Sequence, residues 1–478
     1  MIFSSSTFFV FFISLLFLYW GAKTHRQRAG LLLAGSIIFY ASWKIEYLVL
    51  LFISLFVNYQ IYCALLKNRS RALLWLGIGL DLAVLVFYKY IGLAIETLLW
   101  LDNYVGLGSM NEMPSWIDWA LPLGISFFTF QMLSALIDVY RGDWTCKITF
   151  SKWCLYVSFF PQLIAGPIVR AHELVEQLDD LKPLSVNNLR MGALIFTGGL
   201  IKKVLFADNL GPIVDELFAQ PDSLNTGMAW FASVAFGLQI YFDFSGYSEM
   251  ALGLARIFGV TLPRNFRYPY ISRNFPEFWR RWHITLSQWL RDYLYIGMGG
   301  SRRSRYYTYQ NLMVTMLLGG LWHGAGWTFV FWGGLHGAYL VGYRFLKHLY
   351  ELLGINNRPC IVSWLSSAGL PLTFCLTCFT WVFFRATSFD DAWVISAAML
   401  GLGGISEGSV EVRLYQQLIL WFCLIFVFIE PAIVKFGEKW GERWWCVPFP
   451  LRGMAYASLV LLLLVMGGDT QKFVYFDF

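Results

Sequence analysis

The chain has 478 residues, of which 58% are hydrophobic, 19% aromatic and only 14% charged. Soluble domains carry about 25% charged residues, so this composition excludes a soluble globular protein and predicts a membrane protein with several spans. The formal net charge is +6. The eight cysteines are scattered without CxxC pairs, so neither a zinc site nor a disulfide framework is predicted.

Twelve apolar stretches are candidate membrane spans, because about 20 apolar residues are needed to cross a bilayer. In chain order they are 2–20, 29–43, 47–66, 72–91, 119–140, 191–206, 228–250, 311–331, 332–346, 362–384, 414–434 and 451–466. The breaks at Phe160-Pro161 and Ala165-Gly166-Pro167 predict re-entrant segments, since broken backbone survives at membrane depth only where protein or a water-filled cavity satisfies it. The predicted fold is an all-α polytopic membrane protein with one integral-membrane domain over 1–478.

Basic residues predict the orientation of these spans. Three basic residues follow the first span and three follow the third: Lys23, Arg26, Arg28, Lys67, Arg69 and Arg71. By the positive-inside rule these loops are cytoplasmic. The N-terminus is therefore expected outside.

A segment rich in arginine and aromatic residues, 254–305, follows the seventh predicted span. It has ten arginines, no lysine and two acidic residues, so its local charge of +8 exceeds the net charge of the chain. Anionic lipid headgroups explain such a run. A ligand with phosphates and a ring explains it as well, because guanidinium groups bind phosphate in a bidentate manner and stack on rings.

Within this segment, residues 275–296 predict an interfacial helix that lies flat at the cytoplasmic face. Arg280, Arg281 and Trp282 are the candidate residues on this helix for binding the phosphate-carrying ligand, which would be the donor in a group transfer. Nucleic acid is not an expected ligand, because the run adjoins membrane spans and contains no recognition module.

Histidines are the candidate catalytic residues. His323 lies near the middle of a stretch, Tyr306 to Tyr343, without Lys, Arg, Asp or Glu, and 306–346 is predicted to form histidine-bearing core helices. An ionisable group at bilayer depth is a functional-site candidate, although a histidine satisfied by a neighbouring helix is the alternative. A neutral imidazole can accept the proton of a hydroxyl that attacks an activated acyl group. His323 and the nearby His283 are therefore assigned to catalysis, whereas two histidines without a third ligand do not indicate a metal site.

Four further residues are expected to contact and position the candidate catalytic residues. Asp243 and Tyr247 are one turn apart in a polar interruption of an apolar helix, Trp322 precedes His323, and His336 ends the same apolar block. Interhelix bonding explains a polar interruption at least as often as chemistry does. Six glycines near His323 are predicted to let helices approach closely: Gly319, Gly320, Gly324, Gly326, Gly333 and Gly334.

Two motifs carry a resemblance to a known family: 277–287, which reads EFWRRWHITLS, and 317–324, which reads LLGGLWHG. They resemble the membrane-bound O-acyltransferase (MBOAT) family, and within it the bacterial alginate O-acetylase branch. Further matching stretches follow the same order along most of the chain: 121–127, 137–142, 164–167, 201–203 and 241–248.

The resemblance implies a ring of about 11–12 transmembrane helices, with re-entrant and interfacial helices, around a central funnel that thins the membrane. It implies an essential histidine at His323 and the second family histidine at His283. The implied reaction moves an acetyl group from a cytoplasmic thioester, with acetyl-CoA as co-substrate and no bound cofactor, across a bacterial inner membrane. The acetyl group is then transferred to hydroxyl groups of a secreted exopolysaccharide, alginate or cellulose. Besides the lipid bilayer, the implied partner is a periplasmic or membrane-anchored acetyltransferase or esterase-like protein.

Two alternatives stay open at this point. One is a D-alanyl transferase that takes its thioester from a carrier protein. The other is a polysaccharide or lipid transporter without enzyme activity, whose histidines and aspartate relay protons. A requirement for a carrier protein, or transport without any acyl donor, would identify them.

Overall fold

The computed structural model describes residues 1–105, 121–354, 359–403, 412–467 and 473–474. The regular secondary structure of these residues is helical, and none of them belongs to a β-strand. The predicted all-α fold is confirmed.

Helices of the amino-terminal half include several short ones between longer spans. They are α1 (Ser6–Gly21), α2 (His25–Ala41), α3 (Glu46–Lys67), α4 (Arg71–Leu85), α5 (Ile91–Val105), α6 (Ile125–Arg141), α7 (Phe150–Ser158), α8 (Phe160–Leu163), α9 (Ala171–Leu178), α10 (Val186–Ile201) and α11 (Asp208–Phe218). A π-helical turn at Val86–Tyr90 joins α4 to α5, and a second at Lys202–Ala207 joins α10 to α11.

Helices of the carboxyl-terminal half are on average longer. They are α12 (Thr226–Ile257), α13 (Phe275–Trp279), α14 (Ile284–Trp289), α15 (Arg305–His323), α16 (Trp327–Leu352), α17 (Pro359–Arg385), α18 (Phe389–Met399), α19 (Leu414–Trp444) and α20 (Phe449–Met466). A third π-helical turn, Leu290–Tyr295, follows α14.

Five helices of the described part are long and apolar enough to cross a membrane by themselves. They are Glu46–Lys67, Arg71–Val105, Ser367–Arg385, Leu414–Gly437 and Phe449–Met466. The other predicted spans coincide with helices that are shorter or more polar, and the central one is α12, whose side chains are almost all buried between residues 235 and 251. A helix that packs against protein on every side does not need an apolar surface for lipid. The protein is therefore a multi-span membrane protein with a buried helical core.

The boundary between the two histidine-bearing helices differs from the prediction, which placed it between residues 331 and 332. The chain leaves α15 directly after His323 and enters α16 at Trp327. Gly324 permits this turn, because a Cβ atom there would lie 2.2 Å from the ring of Phe329. His323 is consequently the last residue of a helix and does not lie in the middle of a span.

Helices α15 and α16 form a tightly packed antiparallel pair. A Cβ atom on Gly320 would lie 2.2 Å from the backbone oxygen of Phe329, and one on Gly333 would lie 2.2 Å from that of Met316. The predicted role of glycines in close helix approach is confirmed at these two positions.

The predicted interfacial helix over 275–296 is wrong. Its residues form α13, α14 and a π-helical turn, and His283 between them has a left-handed backbone with φ of 40°. Phe278, Trp282 and His283 are at most 1% exposed. Because these side chains enter the protein core, the segment folds inward and cannot lie flat on a membrane surface.

The segment around Phe160 and Gly166 is broken and buried, as the proline and glycine positions predicted. All residues from Trp153 to Val169 are buried. Side chains of other segments satisfy its free backbone groups: the Phe160 N–H donates to Ser36 Oγ (3.1 Å) and the Ile168 N–H donates to Thr285 Oγ1 (3.0 Å). Protein contacts therefore replace the helical hydrogen bonds that the breaks remove.

Candidate active site

His323 occupies the carboxyl-terminal end of α15, where aromatic rings surround it. Its ring centroid lies 4.9 Å from that of Trp322, 5.0 Å from that of Trp332 and 5.3 Å from that of Phe384. Only 2% of the residue is exposed. The imidazole is thus held in one orientation by packing on several sides.

His283 is held by its own backbone as well as by packing. It precedes α14 with φ of 40°, and its Nδ1 accepts a hydrogen bond from the Leu286 N–H (3.4 Å). A non-glycine residue in this conformation costs about 1–3 kcal/mol, which the surrounding structure must supply. An imidazole whose Nδ1 accepts is neutral and carries its proton on Nε2, and this Nε2 is buried without a hydrogen-bond partner among the described residues.

Three imidazoles and two indoles alternate in one chain of contacts, which we call the imidazole–indole chain: His283, Trp322, His323, Trp332 and His336. Successive ring centroids are 5.8, 4.9, 5.0 and 4.7 Å apart. At its end, His336 Nε2 forms a 3.0 Å hydrogen bond with Thr380 Oγ1. The structure thereby brings together His283, Trp322, His323 and His336, as predicted, and adds Trp332, which the sequence analysis did not single out.

Lys89 is a second residue at this site that the sequence analysis missed. Its Nζ donates to the backbone oxygens of Trp322 (2.6 Å) and His323 (3.1 Å), and the hydroxyl of Tyr90 donates to the backbone oxygen of Leu321 (2.9 Å). Cations and donors at a helix end satisfy its last carbonyls and stabilise its dipole. A lysine inside the apolar stretch 72–91 was the available signal, because a charge in a span needs a partner.

A small cavity reaches His323, and we call it the His323 cavity. Its volume is about 50 Å³, which is room for one or two water-sized groups. Its wall includes Lys89, Trp322, Trp43 and Ser126. A hydroxyl group could therefore approach the imidazole from this side.

A larger cavity lies on the arginine-rich segment, and we call it the arginine cavity. Its volume is about 580 Å³, and its lining of four arginines and one glutamate gives it a net charge of +3; the residues are Arg267, Glu277, Trp279, Arg280, Arg281, Ile284, Ser287, Gln288 and Arg291. Burial alone would raise the pKa of Glu277, but hydrogen bonds from the Arg273 backbone and the Arg281 side chain outweigh burial and lower the pKa below its usual value. The glutamate is therefore ionised, and the cavity still attracts anions.

The two cavities lie toward opposite ends of α6. Ile125 at its first turn lines the His323 cavity. The guanidinium group of Arg141 at its last turn donates to the backbone oxygen of Asp292 (3.4 Å), next to Arg291 of the arginine cavity. A 17-residue helix is about 25 Å long. The contact between His283 and Trp322 lies between the cavities, because Trp322 lines one and Ile284, which follows His283, lines the other.

The three predicted donor-binding residues have different surroundings. Arg280 is exposed in the arginine cavity, and its guanidinium group has no side-chain or backbone partner among the described residues. Arg281 instead donates to Glu277 Oε1 (2.8 Å) and to the backbone oxygen of Arg267 (3.1 Å). Trp282 is fully buried and packs on Phe278 at 5.7 Å, outside the cavity lining. Of the three, Arg280 is the residue whose charge is available to a ligand.

Asp243 and Tyr247 lie behind the imidazole–indole chain and contact other groups. Asp243 accepts from Lys203 Nζ (2.8 Å) and from the Val474 N–H (2.7 Å), while Tyr247 stacks between Phe3 and Phe473, each 4.7 Å away. Phe244 is one residue from Asp243 and contacts His283 at 4.8 Å. Both residues thus support the helix that packs against the site.

Two buried ion clusters fix this helix to its neighbours. Lys203 pairs with Asp208 and Asp243, both at 2.8 Å, and Lys202 pairs with Glu249 and Glu430, both at 2.5 Å. Within the described part of the chain, no group of three or more His, Cys, Asp and Glu is close enough to hold a metal ion.

Comparison with known proteins places the chain in a family. Residues 147–383 match the model of the membrane-bound O-acyltransferase family. A probable alginate O-acetylase AlgI of Azotobacter vinelandii is 41% identical over 84% of this chain and 79% of its own length. The corresponding Pseudomonas aeruginosa protein is 40% identical over 84% and 75%, and a peptidoglycan O-acetyltransferase of Helicobacter pylori is 38% identical over 78% and 74%. The chain therefore belongs to the membrane-bound O-acyltransferase family and is an O-acetyltransferase embedded in a membrane.

Proposed function

We propose that this O-acetyltransferase takes an acetyl group from a cytoplasmic thioester, acetyl-CoA, at the arginine cavity and delivers it at His323 to a hydroxyl that enters from the opposite face. One observation carries the proposal. Two cavities approach the imidazole–indole chain from opposite ends of α6, one with a net charge of +3 and one with His323 in its wall.

The arginine cavity suits a donor that carries phosphate groups. Arg280 and Arg267 line it, and neither guanidinium group is engaged by another described side chain. Guanidinium groups bind phosphate oxygens in a bidentate manner, and their planar faces can also stack on an aromatic base. A CoA thioester supplies both groups, so we expect its nucleotide here and its acetyl end beyond His283.

His323 acts as the general base in the proposed step. It accepts the proton of the acceptor hydroxyl while that oxygen attacks the carbonyl carbon of the thioester. A C–O bond forms, the C–S bond breaks, and the imidazolium returns the proton to the leaving sulfur as a thiol. The neighbouring rings keep bulk water away from the activated acetyl group.

The proposed orientation places the arginine cavity in the cytoplasm of a bacterium and the His323 cavity outside its inner membrane. The terminal ammonium of Met1 donates to Ser42 Oγ (3.0 Å), and the adjacent Trp43 lines the His323 cavity. The N-terminus then lies outside, in agreement with the positive-inside rule. The acceptor is a hydroxyl on a periplasmic or membrane-anchored esterase-like partner, which passes the acetyl group to an exopolysaccharide such as alginate or cellulose.

Inverted membrane vesicles of the producing bacterium test the proposal, because they expose the arginine cavity and retain the partner proteins. Acetyl-CoA labelled in its acetyl group is added, and label bound to protein or polysaccharide is counted. We expect His323→Ala to abolish labelling and His25→Ala, a change at an exposed histidine, to leave it intact. A folded His323→Ala variant that labels at the wild-type rate would contradict the proposal.

The donor is identified in the same vesicles. Labelling that requires an acyl carrier protein in place of CoA would favour a D-alanyl-type transferase. Export of polysaccharide by proteoliposomes without any acyl donor would favour a transporter. Mass spectrometry of extracellular polysaccharide with and without the protein then identifies the polymer by its lost acetyl groups.

A further inference from the structure

We propose that Lys89 is a further functional group of the acyl-transfer centre, where its ammonium group stabilises the negative charge that develops on the acetyl carbonyl oxygen. The inference rests on the proposed function, since it concerns the step that takes place at His323. It starts from the position of Lys89, which is in the wall of the His323 cavity beside His323 itself.

Two of the three N–H donors of Lys89 hold the end of α15. They donate to the backbone oxygens of Trp322 (2.6 Å) and His323 (3.1 Å). These carbonyls form the negative end of the helix dipole, and the Nζ also lies 5.9 Å from the centre of the Trp322 ring. Both contacts stabilise the ammonium form against the cost of burying its charge.

The third N–H has no acceptor among the described residues. A lysine ammonium carries three donors and no acceptor, and only two acceptors contact this one. Because the side chain lines the His323 cavity, the remaining donor is available to a group that occupies that cavity.

Tyr90 provides the comparison for a purely structural role. Its hydroxyl donates to the backbone oxygen of Leu321 (2.9 Å), one residue before Trp322. Tyr90 therefore holds the same helix end as Lys89, but it is not part of the wall of the His323 cavity. A comparison of Lys89 with Tyr90 therefore distinguishes two roles: both residues hold the end of α15, but only Lys89 borders the cavity.

The chemical role follows from charge movement in the acyl transfer. When the acceptor oxygen attacks, the C=O electron pair moves onto the carbonyl oxygen, which becomes an oxyanion. The N–H of Lys89 donates to this oxyanion until the C=O bond reforms and the C–S bond breaks. Lys89 keeps its proton throughout, and His323 carries the transferred proton to the thiol.

The test compares Lys89→Gln, Lys89→Arg and Tyr90→Phe in the vesicle assay with labelled acetyl-CoA. Glutamine keeps an N–H donor for the helix end and removes the charge. We expect Lys89→Gln to lower kcat about 100-fold with little change in the KM of acetyl-CoA, since loss of one oxyanion donor costs about 10²- to 10³-fold. Lys89→Arg should retain at least about a tenth of wild-type kcat, and Tyr90→Phe should remain within about threefold.

Two results would overturn the inference while leaving the proposed function intact. One is a Lys89→Gln variant with kcat within threefold of wild type, in vesicles where His323→Ala is inactive. The other is an equal loss in Tyr90→Phe and Lys89→Gln, which would reduce Lys89 to a clamp on the helix end. Should Lys89→Gln not fold, failure of Lys89→Arg to retain activity in a folded protein refutes the role of the charge. If His323→Ala is as active as wild type, the proposed function fails together with this inference.

Discussion

Replacing Gly333 by alanine is expected to separate the two helices that carry His323 and His336, whereas the same replacement at Gly334 is expected to be tolerated. A Cβ atom on Gly333 would lie 2.2 Å from the backbone oxygen of Met316 on α15. At Gly334 the nearest atom is Leu317 Cδ2 at 3.4 Å, an ordinary contact distance. The two variants have the same composition and differ only in the face of α16 that receives the methyl group.

The magnitude follows from the type of atom in the way. Cβ contacts below 3.0 Å essentially do not occur, so α16 must move away from α15 by about 1 Å. A backbone oxygen cannot rotate aside, and overpacking of this kind costs about 1–3 kcal/mol or more. The better helix propensity of alanine offsets about 1 kcal/mol. We therefore expect a net loss of about 1–2 kcal/mol for Gly333→Ala and a neutral or slightly stabilising effect for Gly334→Ala.

Thermal unfolding of the purified protein in detergent, followed by tryptophan fluorescence, measures this difference. The two variants are compared at one scan rate, because membrane proteins of this size unfold irreversibly and Tm then depends on the rate. Acetyl transfer is measured below both transitions, where the displaced Trp332 should also lower the activity of Gly333→Ala. Equal Tm and equal activity in the two variants would refute the close backbone contact between α15 and α16.

Two other predictions concern the arginine cavity and the buried ion clusters. Arg280→Gln should raise the KM of acetyl-CoA at unchanged kcat and Tm, because the charge of Arg280 faces the cavity. Arg281→Gln should instead lower Tm, because it removes hydrogen bonds within the arginine-rich segment. A KM of acetyl-CoA that is equal in Arg280→Gln and wild type would contradict the role of Arg280. Lys203→Met should cost about 3–5 kcal/mol, because it leaves the carboxylates of Asp208 and Asp243 buried without their cation, and it should be seen as a large fall in Tm or in folded yield. Addition of Asp243→Asn to Lys203→Met should recover part of the lost stability. A Lys203→Met variant as stable as wild type would contradict the ion pairs of Lys203 with Asp208 and Asp243.

The sequence by itself determined the class of protein and singled out candidate residues for its site. Composition decides between membrane and water because it sets how much apolar surface the chain must hide from solvent. His323, His283 and Arg280 could be named because a titratable or charged residue in an apolar or aromatic setting is unusual without a role. The glycines beside His323 indicated a close helix pair, because small residues allow two helix backbones to approach each other closely.

Tertiary structure decided which of these residues lie together. Lys89 reaches the carbonyl of His323 from a helical segment more than 230 residues earlier in the chain. A lysine in an apolar stretch indicates that a partner exists, but no local pattern identifies that partner. Packing against Phe329 ends α15 at His323, although hydropathy continues unbroken through residue 343. Neighbours in the fold also separate Arg280, which faces a cavity, from Arg281 and Trp282, which hold the protein together. Local periodicity records which faces are apolar, but only the assembled fold determines which atoms meet across them.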